Sequence, residues 1–142
     1  MIILPPLVAR SWEEKSLQAG ARMKDLMRQA VDGALRELRP FLPKTGTALV
    51  LVGPGHNGDD ALLLGLELKD LGWDVDFLLS RSRGRRVHPD PRVKPKHWKK
   101  ALIWPAKPSR FLKSRTPRVV IDGVLGLGST PPPRPAEAAL LS

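Results

Sequence analysis

Two stretches of the chain are apolar without alternation, and each runs into glycines. Thr47-Ala48-Leu49-Val50-Leu51-Val52 lies between Gly46 and Gly53, and Val119-Val120-Ile121 leads through Asp122 to Gly123. A continuous apolar run of this length reads as a parallel strand buried on both faces. After the first comes the turn 53–60, then a Leu-rich segment from Ala61 to Leu71 closed by Gly72, then Val75, Phe77, Leu78 and Leu79. Strand, Gly-rich turn, helix and strand in about thirty residues make a βαβ unit, whose crossover is right-handed. Ala101-Leu102-Ile103-Trp104 predicts a further strand. The pattern predicts a parallel sheet with strands near 47–53, 74–79, 101–104 and 118–122 and helices on both faces.

Upstream, 11–38 reads as helix. Ser11 is placed to cap it, and Glu13 and Glu14 suit the positive end of the helix dipole. Met23, Leu26, Met27, Ala30, Ala34, Leu35 and Leu38 recur at three- and four-residue steps and form one apolar stripe. Gly20 and Gly33 weaken an unbroken helix, and Pro40 and Pro43 end it. Segment 81–100 has no periodicity and reads as an exposed loop. Arg110 to Ser114 suggests a helical turn, Pro131-Pro132-Pro133 breaks the chain, and Ala136 to Leu141 starts a weak helix. No internal repeat is visible.

Composition narrows the function classes. The chain has 142 residues, enough for the single domain expected over 1–142. It has no cysteine, which excludes a disulfide scaffold, a thiolate metal site and a thiol nucleophile, and three histidines leave little scope for a His-rich metal centre. No apolar run approaches the ~20 residues of a membrane helix, and the first ten residues lack a basic region before their apolar stretch. The expectation is a soluble cytoplasmic protein without a membrane partner. The net charge of +10 is local: segment 81–118 holds 14 of the 24 Lys and Arg residues and one acid, Asp90. Arg81 to Arg86 and Arg92 to Lys100 suggest a polyanion partner such as RNA, with Trp98 available to stack on a base. A solvated charged loop, or electrostatic steering of a phosphate-rich cofactor, accounts for the same residues.

In open α/β sheets ligands bind outside the carboxyl ends of the strands, which is where Asn57, Asp60 and Asp122 fall. Gly53-x-Gly55-x-x-Gly58 matches the dinucleotide fingerprint in the right strand–helix context. Asp59 and Asp60, in the first helical turn, would repel a diphosphate there, and Asp74 and Asp76 come too early to bind a ribose from the end of the second strand. A tight turn capped by Asn57 or Asp59 explains the glycines equally. A carboxylate at Asp122, ending a buried strand, is costly unless hydrogen-bonded, paired or metal-bound. It is either a turn cap or a functional acid, base or cation ligand.

These residues carry a resemblance. Val52 to Leu62 resembles the "GxGNNGGDGL" signature of the NAD(P)H-hydrate epimerases, the YjeF N-terminal domain family. Val119 to Gly128 resembles that family's "VVDALFGTG", and Leu26 to Ala30 its "LMENAG". The resemblance implies a Rossmann-like three-layer α/β/α sandwich with a mainly parallel sheet, and usually a homodimer. It implies interconversion of the R and S epimers of hydrated NADH or NADPH, a nucleotide damage repair, with a potassium ion as cofactor. Carried over by motif, Asn57 and Asp122 would bind potassium, and Asp122 would be catalytic. His56, Asn57, Gly58, Asp59, Asp60, Gly126, Leu127, Gly128, Ser129 and Thr130 would line the hydrated nucleotide. The signature's first Asn is His56 here, the second Gly of its GGD is Asp59, and the Gly after "LMENA" is Val31. The 142 residues end before the family's later "SIDIPSG" segment and its strands. This predicts either a piece of a longer protein or a degenerate domain, for which a non-catalytic module binding RNA or a protein through 81–118 is the alternative.

Overall fold

The first apolar run and its relatives assemble as strands β1 (Thr47–Val52), β2 (Asp74–Leu79), β3 (Leu102–Ile103) and β4 (Val119–Gly123). The structure is a computed structural model that describes residues 6–80, 88–91, 93–94, 102–103, 116–126, 132 and 135. The four strands form one sheet in the order β3-β2-β1-β4, every neighbouring pair parallel, as the sequence predicts. The chain builds outward from β1 to β3 and then returns to the other side of β1 for β4. The direction of winding therefore reverses between β1 and β4.

Helix α1 (Pro6–Gln18) and helix α2 (Met23–Leu38) precede the sheet, and α3 (His56–Asp70) connects β1 to β2. The single helix expected over 11–38 is thus two helices. The break is a C-terminal cap at Gly20, whose φ of +94° belongs to the left-handed region that glycine tolerates. The Gly20 N–H donates to the Leu17 carbonyl and the Ala21 N–H to the Ser16 carbonyl, the paired bonds of a Schellman motif. Ser11 lies inside α1 rather than capping it. Gly72 ends α3 in the same way, at φ +88°, as its position predicts.

The core lies between the sheet and α3. Register places Val50 opposite Phe77 and Ile121, and Val52 opposite Leu79 and Gly123. Val50, Val52 and Leu62 are completely buried, each contributing roughly 1.5–3 kcal/mol by leaving water. Met27 and Val31 of α2 close the same core. The other sheet face is more open than continuous apolar runs suggest. Leu49 and Leu51 are half-buried, Asp74 and Asp76 are exposed, and Val120 is 55% exposed. Among the described residues α3 is the helix in extended contact with the sheet. The β3–β4 connection, together with the turns expected at 110–114 and 136–141, lies outside them.

The expected exposed loop at 81–100 needs correcting where it is described. His88, Asp90 and Val93 are buried, at 3%, 1% and 5% exposure. Asp90 forms an ion pair with Arg28 of α2 at 2.5 Å, and Val93 joins the core. These contacts fasten the middle of the basic segment to the fold. Arg81 to Arg86 and Trp98 lie outside the described residues.

Candidate functional site

The order of strands reverses between β1 and β4, the place where open parallel sheets bind ligands at their carboxyl edge, and both Gly-rich turns leave the sheet there. They interlock through backbone. The Gly53 N–H donates to the Gly123 carbonyl at 3.1 Å. A Cβ on Gly53 would lie 2.3 Å from the Val124 carbonyl oxygen, and one on Gly58 would lie 2.2 Å from that of Gly53. A Cβ on Gly123 would lie 2.4 Å from the Ala61 Cβ and 2.9 Å from the Asn57 carbonyl oxygen. Only bare backbone allows the turns to approach so closely.

Helix α3 starts at His56, earlier than the Leu-rich pattern suggests, with Gly55 as its N-cap and no side-chain cap bond. Neither Asn57 nor Asp59 caps it. The Asn57 side chain instead crosses to the second turn, its Nδ2 donating to the Leu125 carbonyl at 2.7 Å. That bond leaves the amide oxygen to offer to a ligand. Gly126 lies beside it, with an added Cβ 3.3 Å from the Asn57 Cβ.

Asp122 is exposed, not buried as a central strand residue would be. It pairs in register with Leu51, on the sheet face away from α3, which has less cover. One carboxylate oxygen accepts the Val124 N–H at 2.9 Å, so the turn-capping role is present. Asn57 and Asp122 thus bind the backbone of the same 124–125 turn. Leu127, Gly128, Ser129 and Thr130 lie outside the described residues.

The start of α3 is strongly acidic. Asp59 is completely buried, and Asp60 is half-buried with its Oδ1 shielded from solvent and without a hydrogen-bond partner among the described residues. Burial, then the neighbouring Asp59 carboxylate, then Glu13 of α1 push the Asp60 carboxyl up to about 6. Exposed His56 faces Glu13, with Nδ1 3.6 Å from the carboxylate. Sequence reasoning missed Glu13 as a neighbour of this site, because α1 is brought there only by tertiary packing. It also missed His88, whose Nε2 lies 3.0 Å from the Asp59 carbonyl oxygen. The Pro-flanked His88-Pro89-Asp90 in an otherwise basic segment was the available signal.

The family model described as "YjeF-related protein N-terminus" matches residues 23–142. The chain belongs to this family. An NAD(P)H-hydrate epimerase of Clavibacter sepedonicus is 36% identical over 130 residues, 87% of this chain and 52% of that protein. The bifunctional NAD(P)H-hydrate repair enzyme Nnr of Corynebacterium glutamicum is 31% identical over 129 residues, 91% of this chain and 21% of the enzyme. A crystal structure of yeast ynu0 superposes with a TM-score of 0.78 at 19% identity, covering 99% of this chain and 63% of that one. That likeness establishes the fold. The chain spans about half the length of the curated epimerases it matches. Among its departures from the YjeF-related signatures, Val31 is accounted for by packing, since it is 3% exposed in the core. Asp59 is buried in the first turn of α3.

Proposed function

We propose that this chain is an NAD(P)H-hydrate epimerase domain, interconverting the R and S forms of hydrated NADH or NADPH at the carboxyl edge of the sheet, beside the two Gly-rich turns. The observation that carries the reading is the Asn57–Leu125 bond. It ties the first signature to the second beside Asp122, at the sheet edge where this fold class binds ligands. Its curated relatives named NAD(P)H-hydrate epimerase support the substrate class. Because the chain spans about half their length, the activity belongs to the fuller protein where that length is present.

Inverting C6 of the hydrated ring requires one of its bonds to break and reform from the other face, with protons moved and restored. Asp122, facing solvent, suits electrostatic stabilisation or proton acceptance. Asp60, with its carboxyl near 6, can exchange a proton close to neutral pH. His56 to Asp60, with Gly126 to Thr130, would line the nucleotide. The acidic start of α3 suits the ring end of the substrate better than its phosphates.

The donor set fits potassium, because hard cations take oxygen ligands. Asn57 offers its amide oxygen and Asp122 its second carboxylate oxygen. A bound potassium ion would supply a fixed positive charge that holds substrate oxygen and offsets developing negative charge. Epimer interconversion, measured by chromatography with and without potassium, tests the reading. Asp122→Asn should lower turnover at least tenfold and weaken the potassium dependence. Turnover unchanged by the substitution removes Asp122 from the chemistry.

A further inference from the structure

His88 is buried at 3% exposure, with both ring nitrogens engaged. Its Nδ1 lies 2.9 Å from the backbone nitrogen of Asp90. That group can only donate, so Nδ1 accepts and carries no proton. Its Nε2 lies 3.0 Å from the Asp59 carbonyl oxygen, which can only accept, so Nε2 carries the hydrogen. One species satisfies both contacts, the neutral Nε2–H tautomer.

The segment bearing His88 is itself fixed. Buried Asp90 pairs with Arg28 of α2, the Val93 N–H donates to the Asp90 carbonyl at 3.0 Å, and Val93 is in the core. The Asp59 carbonyl belongs to the turn that presents His56, Asn57 and Asp60. Helix ends fray, and the N-cap of this one, Gly55, has no side chain with which to hold it.

We propose that His88 is a positioning residue for the candidate site: its Nε2–H holds the Asp59 carbonyl, and with it the 56–60 turn, in the place from which Asn57 reaches Leu125. His88 acts through the backbone of Asp59 and takes no part in the chemistry. That this turn receives the hydrated nucleotide rests on the function proposed above; that His88 orders the turn does not.

Two substitutions divide the ring's contacts. His88→Gln retains an amide donor at the reach of Nε2, whereas His88→Asn retains only an acceptor near Nδ1. Nitrogen NMR of the intact chain should place the His88 proton on Nε2. Amide hydrogen exchange across 56–60 should speed up about tenfold in His88→Asn, the scale of one lost hydrogen bond, and stay within about threefold of wild type in His88→Gln. Amides of β1 and β2 should be unchanged in both. In the epimerase assay His88→Asn should raise KM about tenfold with a smaller change in kcat, and His88→Gln should restore it.

A proton on Nδ1, equal exchange in the two variants, acceleration spread over the whole sheet, or an unaltered KM in an active His88→Asn protein would each overturn the proposal. A wild-type chain with no epimerase activity but the predicted exchange pattern would refute the proposed function and support the positioning role.

Discussion

Replacing Asp60 with Asn removes a carboxylate that the fold holds against its ionised form. Its Oδ1 is shielded from solvent without a hydrogen-bond partner among the described residues, and its charged neighbours Asp59 and Glu13 are both acidic. Its pKa rises from 3.8 to about 6. The folded chain therefore binds this proton more tightly than the unfolded chain. Between those two values stability falls as pH rises; the penalty is absent below the lower value and complete above the upper one. At about 1.4 kcal/mol per pH unit the full effect is about 3 kcal/mol. Solvent screening of a half-exposed group reduces this to about 1–2 kcal/mol. Asp60→Asn should accordingly stabilise the chain by about 1–2 kcal/mol at pH 7.5 relative to its effect at about pH 4. Urea unfolding followed by tryptophan fluorescence measures this, since Trp73 is buried at 4% exposure and reports loss of the core. An identical effect of the substitution at both pH values would refute the reasoning.

Two further perturbations test the frame around the site. Arg28→Met takes the guanidinium away from the 1%-exposed Asp90 carboxylate and should destabilise by about 3 kcal/mol in urea. A loss below about 1 kcal/mol would mean that the pair does not anchor segment 88–93. Gly53→Ala places a methyl 2.3 Å from the Val124 carbonyl oxygen and should cost at least ~2 kcal/mol, read as a lowered melting temperature by circular dichroism. A neutral result would show that the two turns are not interlocked.

The strands were legible because continuous apolar runs between glycines leave few alternatives, and the end of α3 because Gly72 follows its last apolar residue. Gly20 was ambiguous, since the apolar stripe continues beyond it and a single glycine is tolerated in a helix. Segment 81–100 misled through its charge. The cations and prolines concealed three buried residues, and Arg28, which pairs with Asp90, lies 62 residues away in α2. Val120 and Asp122 misled in the opposite sense, because an apolar run does not reveal how fully each face is covered. At the site, Asn57 and Asp122 were legible from residue type at a strand end. Glu13 and His88 reach it through packing that no local spacing encodes.

The 2.4 Å that would separate the Ala61 Cβ from a Cβ on Gly123 leaves room for one methyl between α3 and β4. The family signatures quoted above carry glycine at the place of Ala61 and alanine at the place of Gly123; this chain has the reverse. Taken singly, each is a substitution. Taken together, they move one methyl across the interface and keep its volume. The two positions therefore share one steric contact. A chimera that took only the first Gly-rich turn from this protein would bring two methyls to one contact, while exchanging both turns would bring one.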